Sequence, residues 1–157
     1  MEDRLFETIY EHTARPLWAY IARMTDDAPA ADDILQETYL RFLRSSSRPS
    51  DAVEAKRLIY TIATNLVYDR FRKLKRRGET DIAETELETS CNVESEVEMM
   101  QVFSRLKEQE RVLLWLAYVE GYDHVQIARI ANVSRLSVKV LLFRARKKLA
   151  ALMEGGN

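Results

Sequence analysis

Cysteine is almost missing from this chain, with one residue, Cys91, in 157. A lone thiol closes no internal disulfide, and His12 and His124 stand too far from it and from each other to make a zinc-ligand spacing. Neither a structural metal nor a cofactor is expected. Glycine and proline are scarce too, at four and three residues. Few turn formers and few alternating β-branched runs leave little material for hairpins, whereas the strong helix formers Leu, Ala, Glu, Arg and Lys abound. The expected fold class is all-α. Long apolar runs are also lacking: the longest, Val112 to Val119, falls far short of the roughly 20 residues a bilayer-spanning helix needs. Met1 to Tyr10 has no basic start followed by an apolar stretch, so no secretory leader is read there. The expectation is a cytoplasmic protein without membrane insertion. No phosphate-cradling glycine loop and no nucleophile, base and oxyanion set is evident, so no catalytic residues are assigned and an enzyme is not expected.

What is present is a globular composition, 46% hydrophobic and 31% charged, with charges that are strongly segregated. The net charge of −1 would argue against a nucleic-acid partner if it were spread evenly. It is not: Arg70 to Arg77 reads RFRKLKRR, six basic residues in eight, and Arg144 to Lys148 reads RARKK, four in five. Between them Glu79 to Glu98 carries eight acidic residues and no basic one. That stretch lacks sustained apolar periodicity and reads as a linker. Two small helical domains then flank it, 1–77 and 97–154, with 78–96 as the acidic flexible connection.

In the first domain Leu5, Phe6, Ile9, Tyr10, Leu17, Trp18 and Ile21 recur at helical spacing, and Pro16 predicts a kink or a break. A second helix starts near Asp26 to Ala30, where an aspartate can cap and Pro29 suits a first turn, and turns Ile34, Leu35, Tyr39, Phe42 and Leu43 inward. SSSRPS stops it. A third helix from about Asp51 to Arg77 buries Leu58, Ile59, Ile62, Ala63, Leu66, Phe71 and Leu74, leaving an outer face that interleaves Tyr60, Asn65 and Tyr68 with cations. Such a face suits phosphates and stacking on unpaired bases.

In the second domain a helix containing Val102, Phe103 and Leu106 precedes one from about Glu108 to Glu120, ended by Gly121. Asp123 caps a short helix with Val125, Ile127, Ala128 and Ala131 inward, Asn132 supplies a left-handed turn residue, and Ser134 caps a last helix to about Met153. Two helices across so short a turn, the second basic, make a helix-turn-helix candidate. Advancing about 100° per residue from Val138 puts Leu142, Ala145 and Leu149 on the core side and Lys139, Val140, Phe143, Arg144 and Lys147 outside. Cations there suit phosphates, and Ser137 with the apolar side chains suits base edges and thymine methyls.

Three segments in order carry a family resemblance. DDAPAADDILQETYLRFLR is similar to a polymerase-binding helix, YTIATNLVYDRFRKLKRR to a −10 helix with Ile-Ala-X-Asn at Ile62 to Asn65, and GYDHVQIARIANVSRLSVKVLLFRARKKL to a −35 helix-turn-helix. Together they resemble the extracytoplasmic-function (ECF) sigma factors of the sigma-70 family, over nearly the whole chain. The resemblance implies a DNA-binding subunit that joins core RNA polymerase and directs initiation by reading −35 and melting −10 elements. It assigns Asp33, Gln36, Glu37 and Arg41 to the clamp helices of the β′ subunit, and seats the second domain on the β flap. Base capture falls to about Ser45 to Lys56, and support of melted DNA to Asn65, Arg70, Arg72 and Lys73, with Tyr60 beside them. Arg135, Ser137, Lys139 and Arg144 address the −35 duplex, joined on the outward face by Val140, Phe143 and Lys147.

Departures are visible. Where the family commonly has Gly-Thr-Val-Lys-Ser-Arg-Leu, Leu136 to Leu142 reads LSVKVLL, and Leu58 stands where Trp is usual. The exposed Val140 and Phe143 then call for thymine methyls or for a covering protein, an antisigma factor being the obvious one. The alternative function is a sigma-like decoy that binds an antisigma factor without initiating transcription; a dimeric repressor would leave the first domain and linker without a role. The two domains are expected to be loosely tethered when the chain is alone.

Overall fold

The computed structural model describes residues 3–46, 49–78 and 95–155, and among them every regular element is a helix. Most of the acidic connection, with Cys91, lies outside the described residues. The N-terminal half has three helices, α1 (Asp3–Thr25), α2 (Ala28–Arg44) and α3 (Ala52–Arg77). The C-terminal half has four, α4 (Ser95–Phe103), α5 (Glu108–Tyr118), α6 (His124–Ala131) and α7 (Arg135–Gly155).

Local chemistry sets the helix ends. Asp27 and Asp51 are extended residues whose carboxylates accept from the Ala30 and Glu54 amides at 3.1 and 2.9 Å, satisfying donors the first helical turn leaves unpaired. Gly78 closes α3 at φ 74°, a left-handed conformation that costs glycine nothing. In the second half Asp123 and Gln126 form a reciprocal capping box at 2.9 and 3.3 Å. Asn132 turns the chain at φ 59° and ψ 50°, and Ser134 Oγ accepts from the Leu136 amide at 3.3 Å. Pro16 does not break α1, which runs through it; of the kink or break expected there, the break is absent. The turns beyond it bury Leu17, Tyr20, Ile21 and Met24 completely, and that burial outweighs one missing backbone hydrogen bond.

The first three helices pack around those residues together with Ala31, Ile34, Phe42, Ile59, Ala63 and Val67. Several polar groups inside this core are paired, while the buried Tyr68 hydroxyl has no hydrogen-bond partner among the described residues. Thr64 donates to the Tyr60 carbonyl at 2.7 Å, so its oxygen is left to accept from the Tyr20 hydroxyl, also at 2.7 Å. Thr13, donating to the Ile9 carbonyl, likewise receives the Tyr39 hydroxyl. Trp18 donates to Asp32 at 2.7 Å and ties α1 to α2. The inward faces are narrower than the apolar pattern suggests: Leu5, Leu43 and Val125 are exposed, because Ile9, Phe42 and Ile127 already fill the core positions beside them.

The C-terminal core is built from Leu106, Val112, Leu113, Leu116, Ile127, Ile130, Val138, Leu142 and Ala145. It does not stand apart. α6 packs along α3, and α5 packs against both α1 and α3. Trp115 meets Tyr20 with ring centroids 6.3 Å apart, and Tyr122 meets Tyr60 at 6.2 Å. The expected loose tether is thus replaced by a shared, aromatic-lined interface. Replacing Tyr20 by Phe removes the hydroxyl that Thr64 accepts, and we expect a loss of about 1 kcal/mol in urea unfolding with no change of slope.

Candidate nucleic-acid interface

Three of the four expected polymerase contacts, Asp33, Gln36 and Arg41, are exposed on α2, and Glu37 is half-buried beside them. Glu37 accepts from Arg41 Nε at 2.8 Å, one helical turn on. Across a groove of about 430 Å³ Asp33, Glu37 and Arg41, but not Gln36, face α3, where Leu66, Asp69, Arg70, Lys73 and Arg77 form the opposite wall. Two carboxylates and Arg41 on one helix therefore run beside Asp69 and three cations on the next.

The −10 candidates divide. Asn65, Arg72 and Lys73 are exposed. Arg72 contacts Asp69 one turn back. Arg70 is half-buried and donates to Asp27 at 2.9 Å, so in this conformation it braces α3 against the N-cap of α2. Tyr60 is not on an open face at all. It is fully buried, its ring stacked near Tyr20 at 5.2 Å and its hydroxyl donating to Glu120 at 2.8 Å. Burial, then the adjacent Glu120 carboxylate, pushes that phenol far above its ordinary range, so it remains a neutral donor.

The recognition-helix candidates behave differently. Val138, Leu142 and Ala145 are buried, which rotates Arg135, Leu136, Lys139, Val140, Phe143, Arg144 and Lys147 outward, with Ser137 half-buried. Leu136, Val140 and Phe143 lie 84, 47 and 54% exposed, an apolar stripe edged by cations. Lys147 Nζ sits 5.8 Å from the Phe143 ring centroid. On the other side of the same half, an apolar groove of about 360 Å³ runs between α5 and α7, lined by Phe103, Leu114, Trp115, Tyr118, Leu149 and Met153.

Two residues escape a reading by sequence. Arg111 is 7% exposed, and its guanidinium donates to the Leu106 carbonyl at 3.0 Å, to Ser104, and across the interface to the Met24 and Arg23 carbonyls at 2.8 and 3.3 Å. Burial lowers its pKa, while the negative charges of Asp26 and Glu108 act in the opposite sense. Glu120, whose side chain is 8% exposed, bridges Tyr60 and, at 3.4 Å, Lys56. In sequence each is one charged residue bordering an apolar helix, and only the position of Arg111 immediately before VLLWLAYV hints at burial.

A three-helix unit with a basic third helix, followed by a helix-turn-helix unit with a free recognition face, defines a two-part DNA-binding protein. Residues 9–77 match the family model described as Sigma-70 region 2, and residues 96–149 match that described as Sigma-70, region 4. The chain belongs to the sigma-70 family and, within it, to the ECF sigma factors, promoter-specificity subunits of bacterial RNA polymerase. It is 28% identical to the ECF RNA polymerase sigma factor SigL of Mycobacterium tuberculosis, over 98% of this chain and 91% of that one. It is 28% identical to SigM of Bacillus subtilis over 96% of both. Among solved structures, the sigma factor RpoE of Bartonella quintana, crystallised with the anti-sigma factor NepR, shares the fold at a TM-score of 0.72. That match has 18% identity and covers 95% of this chain and 96% of that one.

Arg111 gives a direct test of how the halves are joined. Lysine carries the charge but cannot fan out to four carbonyls as a guanidinium does. We expect Arg111→Lys to lose about 3 kcal/mol, measured by chemical unfolding, since hydrogen bonds to charged groups are worth ~1.5–3 kcal/mol each. A loss below about 0.5 kcal/mol would show that the carbonyl cage does not support the fold.

Proposed function

We propose that this chain acts, without catalytic chemistry of its own, as a cytoplasmic subunit that docks on core RNA polymerase through α2 and selects promoters with α3 and α7. Asp33, Gln36, Glu37 and Arg41 meet the β′ clamp helices by polar helix-on-helix contact. The apolar groove between α5 and α7 takes the β flap, an assignment that its almost wholly apolar lining supports. Asn65, Arg72 and Lys73 hold the melted −10 strand, and Arg70 joins them when it leaves Asp27. Unpairing costs a few kcal/mol, which base stacking at about 1–3 kcal/mol per base and phosphate contacts offset.

At −35, Arg135, Lys139, Arg144 and Lys147 hold phosphates, and Ser137, Val140 and Phe143 meet base edges. The observation that carries this reading is the α2–α3 groove, which sets the acidic docking row beside the −10 cations, with a free basic recognition helix on the same chain. An antisigma factor is the expected protein partner outside polymerase, as RpoE of Bartonella quintana has NepR. The acidic linker, within 78–96, is read as a polyanion that occupies the basic channel later taken by RNA.

Core binding and duplex binding are separable tests. Replacing Asp33, Gln36 and Arg41 by alanine should weaken binding to purified core polymerase at least about tenfold, or ~1.4 kcal/mol, with helical content unchanged. Lys139→Ala with Arg144→Ala should lower the slope of log affinity against log salt on duplex DNA by nearly two, at about 0.9 per phosphate contact. Full core affinity in the triple variant, or an unaltered salt slope, contradicts the corresponding assignment.

A further inference from the structure

The outward face of α7 presents an apolar line between cations. Leu136, Val140 and Phe143 are all exposed, Leu136 most of all, while Val138, Leu142 and Ala145 hold the opposite face in the core. At about 100° per residue the three exposed side chains fall within an arc of about 60°, with Arg135 and Lys139 on one side of it and Arg144 on the other. Lys147 continues the line one turn on, its ammonium 5.8 Å from the Phe143 centroid. Among the described residues Arg135, Lys139 and Arg144 enter no ion pair, and no carboxylate occurs between Arg135 and Lys148. Leu136 and Val140 stand where glycine and serine are common in the family, so the line sets this chain apart.

Dimensions and chemistry point to the floor of a DNA major groove. Leu136 and Phe143 lie two turns apart, about 10 Å along the axis, which matches three base steps of ~3.4 Å. They occupy the first half of α7, the part of a recognition helix that meets base edges. A groove about 12 Å wide admits a helix and brings a phosphate backbone along each wall. Cations on both flanks of an apolar line complement that arrangement. A protein covering the same line would have to bring carboxylates to both sides of an apolar ridge, whereas a duplex carries anions on both walls by construction. On the floor, residue type decides which base is met. Guanine is read by Arg or Lys and adenine by Asn or Gln, through paired hydrogen bonds. The apolar line has no such group, and α7 contains neither Asn nor Gln. What an apolar side chain meets favourably there is the C5 methyl of thymine.

We infer that Leu136, Val140 and Phe143 set the promoter specificity of this chain by burying the methyls of two or three neighbouring thymines in the −35 element, with Arg135, Lys139 and Arg144 on the phosphates at either side. This deepens the −35 assignment and rests on it. The apolar line supplies sequence preference, and the cations supply affinity without preference. One buried methyl is worth about fourfold in affinity, the equivalent of ~0.8 kcal/mol. Deoxyuridine in place of thymine removes that methyl and leaves the pairing edge and the phosphates unchanged.

The test begins with promoter-length duplexes of randomised sequence, selected for retention by core RNA polymerase with the full chain and not by core polymerase alone. The retained upstream element should hold adjacent thymines on one strand. Resynthesised with deoxyuridine at those positions, the same duplexes should bind about fourfold more weakly per methyl lost. Leu136→Ala and Phe143→Ala should each lower the ratio of thymine to deoxyuridine affinity by about one methyl's worth, again roughly fourfold. Lys139→Ala should weaken both duplexes equally and keep the ratio; circular dichroism checks that every variant is folded. An upstream element without neighbouring thymines, or equal binding of the two duplexes, overturns methyl reading and leaves the −35 assignment standing. A methyl dependence that survives both alanine variants overturns the role of the apolar line and leaves that face to a protein partner. Retention with no preferred upstream element overturns the −35 assignment itself, and retention no better than by core polymerase alone overturns the proposed promoter selection.

Discussion

A guanidinium withdrawn from water must find acceptors for its donors, and a buried one without a carboxylate must find them in the backbone. Arg111 does so by collecting carbonyls from its own half and from the end of α1. Much of the arrangement follows from that constraint. Holding α5 against α1 places Trp115 on Tyr20 and brings the following turn over α3, where Glu120 meets Tyr60 and Lys56. Burial and neighbouring negative charge then keep the phenols of Tyr20, Tyr60 and Tyr122 protonated, the last with its pKa pushed up to about 12. Neutral hydroxyls and aromatic faces fill the space between the halves beside the Lys56–Glu120 and Lys75–Glu108 pairs.

The same charges serve two settings. Arg70 braces α2 through Asp27, and Lys56 and Lys75 face carboxylates of the C-terminal half. All three belong to a helix whose cations suit a DNA backbone. A carboxylate on a phosphate-binding cation is a weak, exchangeable occupant, because a polyanion offers many charges and releases counterions on binding. The recognition helix has no such cover: its apolar stripe and flanking cations remain open.

Legibility in the sequence follows the range of the interaction. Helix ends at Asp27, Asp51, Asp123 and Asn132 are readable because each cap acts within three residues of itself. The outward face of α7 is readable because a helix repeats every 3.6 residues and Val138 fixes its phase. The break that Pro16 allows does not occur, because local propensity loses to the burial of the turns after it. Tyr60 misleads because its cover comes from 60 residues away, and Arg111 is silent because its acceptors across the interface lie 87 and 88 residues off. Neither partner pair shows a spacing that periodicity detects. The family resemblance assigns candidate binding helices and says nothing of how they are held together.

Transcription by core RNA polymerase on the source genome, with and without the full chain and with RNA 5′ ends mapped, tests the central claim most directly. The account predicts new start sites that appear only with the protein and share two spaced upstream elements. An absence of new starts, in a preparation shown to bind core polymerase, would contradict it.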